Sequence, residues 1–525
     1  MWHHIRNHRY ELLSAAFSGL LLCLAFPKIN QGWVAWFALV PLLVVLRRAG
    51  GRTGFALGFA AGMAHYLGLI YWTAYTMNVY GDVPMPQAVC ALSLLAAILA
   101  AFWAVGTMGL CLACRAPWHL LIGGPAVWVL TEWLRTWLFT GFPWELLGYS
   151  QHAYLPLIQV ADLFGVTGLS ALIFFGNTVL CLVWLHWRRL PWREGMVSRG
   201  LAARAGLLLG VLLVAVAGYG FYRLQATDAE MAAAPRARLA VIQGNIDQAH
   251  KWDVAFQRQT TEKYVDLSLK AAHRGADLII WPETAAPFYM FHDADLTDIV
   301  LKGVRAAGKY FIIGCPAAEQ VGSEFVYYNR AYLFDPQAQV IGKYDKVHLV
   351  PFGEYVPLKR WLPFLGKMVA QVGDFKAGLK GDTLMWRQHP IGMLICYEAI
   401  FPDLARAMAA NGAQLLVNIT NDAWFGRTSA AYQHFSMAVF RAVENRRFLA
   451  RAANTGISGY IDPCGRVLDA TALYQDAAPV ADVRLLQRRT LYTRWGDLPL
   501  VILSLVLVVS CVVAGRAYYK PEPAL

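Results

Sequence analysis

Eight long apolar stretches, at roughly 11–27, 33–46, 55–78, 87–114, 118–140, 164–187, 203–223 and 498–515, constrain this 525-residue chain more than any other feature. Inside a bilayer no water reaches backbone N–H and C=O groups, so a run of about 20 apolar residues crosses only as a helix that bonds its own backbone. The runs predict an all-α polytopic transmembrane bundle of about eight helices. Seven spans fall in a first domain, 1–223, and the eighth in 498–525 with a short tail; the intervening 224–497 is predicted to be a separate polar domain. Hydrophobic residues make up 57% of the chain and charged ones 15%, a balance that fits a membrane protein with a soluble part.

Orientation follows from the short loops. Arg6 and Arg9 precede the first run, Arg47, Arg48 and Arg52 follow the second, and Arg115 follows the fourth. Arg188, Arg189, Arg193 and Arg199 follow the sixth, and Arg516 with Lys520 the last, while the alternate loops are almost free of basic residues. The positive-inside rule then predicts both termini in the cytoplasm and 224–497 on the far side, the periplasm of a Gram-negative cell. The net charge of +12 is thereby topological, and nucleic acid is not an expected partner: no Lys/Arg cluster with interleaved aromatics occurs in the soluble region. No small-residue cleavage site follows Phe26, so the first run reads as an uncleaved span. Six of the nine cysteines lie in or beside apolar runs as small fillers; of Cys315, Cys396 and Cys464, any two could pair in an oxidising compartment. His3, His4 and His8 read as a solvated tail, and no metal site or cofactor is expected.

The soluble region alternates strand-like and helix-like segments, with antiparallel pairs between them, and predicts a layered α/β domain. Three apolar runs there end in polar groups: Ala276-Asp-Leu-Ile-Ile-Trp281-Pro-Glu283, Val340-Ile-Gly-Lys-Tyr-Asp-Lys346, and Ile391-Gly-Met-Leu-Ile-Cys396-Tyr397-Glu398. Taken singly, each has an ordinary structural reading, a buried thiol or a solvated rim charge. Together they are a base, a cation and a nucleophile, the groups that thiol acyl transfer needs. Glu283 can take the thiol proton, and Lys346 can stabilise both a thiolate and the oxyanion formed at an attacked carbonyl. Cys396 precedes a helix-like segment with Pro402 near its start, which predicts a strand-to-helix turn whose N–H groups, that of Tyr397 included, point at an oxyanion. Glu132 and Arg135, spaced i, i+3 inside the fifth run, read as a paired charge or part of a lipid head-group site. Arg441, Glu444 and Arg447 read as a solvated or salt-bridged helix face.

The set Trp281-Pro-Glu283, Lys346 and Cys396-Tyr-Glu398 resembles the Glu-Lys-Cys signature of the nitrilase, or carbon–nitrogen hydrolase, superfamily. Within that superfamily the chain is similar to the apolipoprotein N-acyltransferase family, through Gly141-Phe-Pro-Trp144, Leu147-Gly-Tyr149-Ser-Gln151, Gln243-Gly-Asn245, His348-Leu-Val-Pro-Phe-Gly-Glu354, Asn421-Asp-Ala-Trp424 and Thr490-Leu-Tyr-Thr-Arg494-Trp-Gly-Asp497. The resemblance implies a nitrilase-like αββα sandwich joined to the transmembrane bundle. It implies Glu283 as general base, Lys346 as oxyanion lysine (its spacing to Glu354 favours it over Lys343), and Cys396 as the thioester-forming nucleophile. Glu354 corresponds to a second, site-positioning glutamate, Tyr397 and Glu398 to residues flanking the nucleophile, and Trp252 and Trp424 to aromatics near substrate. The implied reaction moves an acyl chain from a phospholipid, chiefly phosphatidylethanolamine, to the α-amine of a diacylglyceryl-cysteine at the start of an apolipoprotein, the last step of bacterial lipoprotein maturation. A monomer among membrane lipids is expected. The apolar, basic-punctuated segment with Trp361, Phe364 and Leu365 suggests a gate touching the membrane, or else an ordinary buried helix. A membrane-tethered amidase using the same three residues is the competing reading, and a transporter or receptor a more distant one; the halves repeated in transporters are not seen in the sequence.

Overall fold

The structure is a computed structural model that describes residues 9–193, 195–355 and 374–517. Trp361, Phe364 and Leu365, and with them the expected gate, lie outside the described residues. The chain divides into two compact units: Met1–Ala74, Met85–Arg223 and Trp495–Leu525 form one, and Tyr75–Pro84 with Leu224–Arg494 form the other.

In the first unit every apolar run is helical: α1 (Arg9–Cys23), α2 (Val40–Leu46, after a 3-10 turn at Gly32–Trp36), α3 (Gly51–Leu69) leading into α4 (Trp72–Tyr80), α5 (Met85–Ala113), α6 (Pro117–Trp137), α7 (Ala161–Trp187), α8 (Arg199–Ala233) and α13 (Leu498–Ala517). Among the described residues, α5, α7, α8 and α13 are long and apolar enough to cross a membrane singly, and α3 with α4 joins them if that broken pair is one span. The other runs give shorter or more polar helices. Helix α3 packs on α5 through small residues: a Cβ at Gly58 would lie 2.7 Å from the Trp103 carbonyl oxygen, and one at Gly62 2.8 Å from the Ala100 Cα. Such close approach is how helices associate where lipid removes the hydrophobic incentive.

Glu132 and Arg135 turn to separate partners in the loop after α6. Glu132 accepts from the Trp128 indole (3.0 Å) and from the Leu147 N–H (2.7 Å), while Arg135 donates to the Trp144 carbonyl (2.9 Å). Gln151 donates to the Gly32 carbonyl at 2.8 Å, so the Gly141–Gln151 motif is held by side chains inside the bundle. The spacing suggested a pair because i, i+3 residues share a helix face; the loop's unsatisfied backbone groups compete for both charges and win. Helix α8 is pinned within its second half, where Arg223 and Tyr219 both bond Asp162, at 2.9 and 2.7 Å.

The second unit holds two six-stranded sheets. One has the order β12-β1-β2-β3-β4-β5, where β1 is Arg236–Val241, β2 Leu278–Ile280, β3 Tyr310–Val321, β4 Glu324–Phe334, β5 Val340–Asp345 and β12 Val480–Arg484. The other runs β11-β10-β9-β8-β7-β6, where β6 is Thr383–Trp386, β7 His389–Ile395, β8 Leu415–Thr420, β9 Phe448–Ala453, β10 Gly459–Ile461 and β11 Val467–Leu468. Helices α9 (Val254–His273) and α10 (Ala294–Ala307) cover the first sheet, with Tyr264, Ala271, Val300 and Val304 in one core with Ile279, Trp281 and Phe311. Helices α11 (Pro402–Ala410) and α12 (Ala430–Asn445) pack on the second, and the Tyr460 hydroxyl crosses from one sheet to the other to reach the Leu239 carbonyl at 2.7 Å. The layers are thus helix, sheet, sheet, helix.

Each sheet centres on three parallel strands, β1-β2-β3 and β7-β8-β9, buried throughout β2, β8 and β9. Parallel strands covered on both faces read as continuous apolar runs, which is what Leu278-Ile-Ile and Leu415-Leu-Val are. Because β4 is antiparallel to both β3 and β5, strand β5 runs in the same direction as β2. The residues that follow β2 and β5 therefore emerge at one edge of the first sheet. That edge is where Glu283 and Lys346 stand.

Gly314 in β3 lets the turn after β2 lie against the sheet. A Cβ there would stand 2.9 Å from the Glu283 Cα and 3.0 Å from the Thr284 N. These are backbone atoms that cannot swing aside. Gly314→Ala is therefore expected to cost about 1–3 kcal/mol in thermal unfolding and, by moving Glu283, to slow turnover on the order of 10²-fold. Turnover close to wild type would show that the turn has slack.

Of the two sequence expectations for helix α12, a solvated or a salt-bridged face, the salt-bridged one holds, and it is buried. Arg441 and Glu444 pair at 3.0 Å with both side chains fully buried, and Arg447, also buried, donates to the Ala413 and Arg488 carbonyls. The charges are spent on pairing and on loop carbonyls inside the fold. No disulfide joins any of the nine cysteines, and Cys315 and Cys464 are buried.

Candidate active site

Glu283, Lys346 and Cys396 meet at the ends of β2, β5 and β7. The Lys346 ammonium lies 3.3 Å from Glu283 Oε1 and 2.9 Å from Glu354 Oε1. Asn329 Nδ2 bonds the same two oxygens, at 2.7 and 2.8 Å, and the Asn421 N–H donates to Glu283 Oε2 at 3.0 Å. The Cys396 thiol lies where the charges of both Glu283 and Lys346 act on it. Burial works against ionised Glu283, but Lys346, the Asn329 bond and Lys251 outweigh it, so its carboxyl sits below the ordinary value. Burial likewise opposes the Lys346 charge, and Glu354 with Glu283 reverses this and raises its pKa. The thiol moves the other way: burial, then the Glu283 charge, push Cys396 upward despite Lys346. The resting arrangement is carboxylate, ammonium and neutral thiol.

Cys396 takes φ +52°, in the left-handed region, at the junction of β7 and a 3-10 turn over Cys396–Ile400. Such a conformation costs a non-glycine residue energy and persists only where the surroundings impose it. Two groups do so. Glu398, wholly buried, accepts from the Ile395 N–H (2.6 Å), from Val347 N–H (2.6 Å) and His348 N–H (3.1 Å), and from the Tyr344 hydroxyl, tying the thiol's turn to the segment behind Lys346. On the other side, His434 Nε2 donates to the Cys396 carbonyl at 3.1 Å, since a carbonyl can only accept. With the proton on Nε2, His434 Nδ1 accepts from Arg451 at 3.0 Å, and the same Arg451 nitrogen donates to Asp422 at 2.7 Å. Burial, then the Arg451 charge, lower the pKa of His434 and favour neutral imidazole. For Asp422, burial is overcome by the Arg451 charge, which holds it ionised.

Sequence comparisons extend over both units. A family model described as apolipoprotein N-acyltransferase N-terminal domain matches residues 18–179, and one described as carbon-nitrogen hydrolase matches residues 238–486. A protein of Geobacter metallireducens named apolipoprotein N-acyltransferase is 45% identical over 93% of this chain and 92% of its own. The chain belongs to the apolipoprotein N-acyltransferase family. A second member, from Methylococcus capsulatus, is 34% identical over 96% of both chains. Among solved structures, an amidase from Nesterenkonia sp. is 22% identical, covering 50% of this chain and 94% of its own, with a TM-score of 0.37.

Against this family's expected site residues, Glu283, Lys346, Cys396, Glu354 and Glu398 form one connected cluster. Tyr397 stands beside it, its ring 5.1 Å from Phe401 and 5.8 Å from His348. Trp252 lines a cavity of about 580 Å³ with Gln257, Pro287, Phe288, Tyr289 and His292. The Trp424 carbonyl accepts from the Thr76 hydroxyl at 2.9 Å and its ring stands edge-on to Tyr80. Asn329, Lys251 and Arg451 were not singled out by sequence. Asn329 lies mid-strand in β4, where an outlying Asn among Tyr327, Tyr328 and Arg330 was the one available signal.

Glu398 gives the site a pH signature. Burial pushes its carboxyl up to about 7, with the Ile395 N–H and the Lys346 charge pulling downward. An acid raised on folding binds protons more readily in the folded state between its ordinary pKa of 4.5 and about 7. Its contribution to stability falls as pH climbs through that window. The stability of the wild type relative to Glu398→Gln, measured by thermal unfolding, is expected to decline with rising pH across this range. A difference independent of pH would mean that Glu398 keeps an ordinary pKa.

Proposed function

We propose that this chain transfers an acyl chain from a membrane phospholipid to the α-amine of the diacylglyceryl-cysteine that begins an apolipoprotein, through a thioester on Cys396. Family membership carries the reaction class, N-acylation of lipoproteins from a lipid donor. The assignment of roles rests on one observation: Glu283 Oε1 lies 3.3 Å from the Lys346 ammonium, and both charges act on the Cys396 thiol.

In the first half-reaction the Glu283 carboxylate takes the thiol proton and the sulfur attacks the ester carbonyl of the phospholipid. A C–S bond forms, and the oxyanion is stabilised by Lys346 in a site that excludes water. Collapse breaks the ester C–O bond, and the proton on Glu283 goes to the departing alkoxide, which leaves as a lysophospholipid. In the second, the neutral α-amine attacks the thioester, Glu283 takes the amine proton, the C–S bond breaks, and the proton returns to sulfur. Splitting the transfer this way gives ping-pong kinetics. Glu354 and Asn329 hold Lys346 and Glu283 in place. Trp252 and Trp424 are proposed substrate contacts, phosphatidylethanolamine is the proposed donor, and the working unit is a monomer without cofactor.

Purified protein given acyl-labelled phosphatidylethanolamine and a diacylglyceryl-cysteine peptide should yield the labelled amide; labelled free fatty acid alone would make the chain a hydrolase. The basic loops support both termini in the cytoplasm and 224–497 in the periplasm of a Gram-negative inner membrane. Lys302 is exposed on α10. A Lys302→Cys variant is expected to react with a membrane-impermeant maleimide in intact spheroplasts, and protection until lysis would reverse the orientation.

A further inference from the structure

A second lysine is buried beside Glu283. Lys251, in the loop between β1 and α9, is 1% exposed, and its ammonium donates to the Glu283 carbonyl at 3.2 Å and to the Thr284 hydroxyl at 2.6 Å. Both bonds fall on the turn that leaves β2, where Thr284 takes φ +47°. A carbonyl and a hydroxyl need only a donor to satisfy them. A neutral amide would do this without the cost of burying a cation, which is several kcal/mol unless a charge compensates. The compensating charge is the Glu283 carboxylate, with Cys396 beyond it; these are the titratable groups that act on Lys251.

Below about pH 7, where Glu398 is protonated, the site's charges balance only if Lys251 is counted. Glu283, buried, and Glu354, with its side chain 11% exposed, are two carboxylates that share Lys346. With Lys346 as the lone cation, the second carboxylate would gain from taking a proton, and a protonated Glu283 cannot accept one from the thiol. We infer that Lys251 is a positioning residue of the acyl-transfer site: it fixes the strained turn after Glu283 and supplies the second positive charge that keeps Glu283 a carboxylate at mildly acidic pH. The inference rests on the proposed role of Glu283 as base. Burial, partly offset by Glu283 and Cys396, draws Lys251 down to about 8. The ammonium is therefore intact throughout the range in which a carboxylate titrates.

The test is the single-turnover rate of Cys396 acylation by labelled phospholipid, followed from about pH 4 to 9 for wild type, Lys251→Gln and Lys251→Arg. The Gln variant keeps a donor and drops the charge, and the Arg variant keeps the charge. The acid limb of the Gln variant is expected to move up by about one pH unit, making it about tenfold slower on that limb, while the Arg variant keeps the wild-type limb. If Lys251→Gln does not fold, judged by its melting temperature, Lys251→Met makes the same comparison with an adaptable apolar chain. An acid limb unmoved in the neutral variant, even with rates lowered equally at every pH, would make Lys251 a structural latch only and overturn the inference. Absence of label from the wild type would instead strike the proposed function, so the two failures are separable.

Discussion

Replacing Cys396 by Ala is expected to abolish both the acyl-enzyme and the transfer, a loss on the order of 10⁴-fold or more, as when the nucleophile is removed from a catalytic set that works as a unit. The fold should survive. Ala accepts the left-handed φ of +52° at no greater cost than Cys does, and the bonds that impose it come from Glu398 and His434, not from the thiol. Thermal unfolding within a few degrees of wild type, with activity lost, would assign the whole effect to chemistry. The neutral resting thiol adds a second expectation. Because burial and Glu283 raise its pKa, iodoacetamide should modify Cys396 slowly at pH 7 and faster as pH rises. The thiolate then forms mainly when an acyl carbonyl is there to receive it.

Lys346→Met is expected to be nearly as damaging, and for two reasons that can be measured apart. Loss of a donor aimed at the developing oxyanion costs about 10²–10³-fold in turnover. The same substitution strips Glu283 and Glu354 of a cation at 3.3 and 2.9 Å in a site with almost no solvent contact. Breaking a buried pair by removing one partner costs about 3–5 kcal/mol, unless one carboxylate takes up a proton. If Glu283 does so, the enzyme loses its base as well. A Lys346→Met protein that unfolds at the wild-type temperature and turns over at near wild-type rate would remove Lys346 from the site. Lys343, three residues earlier, provides the control. It is half exposed and bonds Glu319 at 2.6 Å on the far side of the strand, so Lys343→Met should change little.

The strand-end placement of Glu283, Lys346 and Cys396 was legible because fully buried parallel strands announce themselves as unbroken apolar runs, and the residue that ends such a run stands at the sheet edge. The helical runs of the first unit were legible for the same reason. What holds the three groups together was not. Asn329 reaches Glu283 because β4 lies beside β3 in a particular register, and Arg451 reaches Asp422 because β9 lies beside β8. Contacts that depend on strand pairing leave no trace in local pattern. Lys251 sits in a polar loop where a lysine ordinarily meets water. Arg441 and Glu444 read as a solvated or salt-bridged face because a charged i, i+3 pair is common on exposed helices; the pairing was legible, and only the tertiary packing of α12 buries it. Glu132 and Arg135 share a helix face as their spacing requires, but the loop at Trp144–Leu147 claims them both.

The central claim is that Glu283 and Lys346 make Cys396 an acyl carrier. Its most direct measurement is the mass of the Cys396 peptide after the purified protein has been incubated with one defined phospholipid and no acceptor. The expected result is a mass increase equal to that donor's acyl group, removable by hydroxylamine, discharged by added diacylglyceryl-cysteine peptide and absent from Glu283→Gln. An unmodified Cys396 under conditions in which the protein still makes N-acylated product would contradict it, because transfer would then proceed without the thioester.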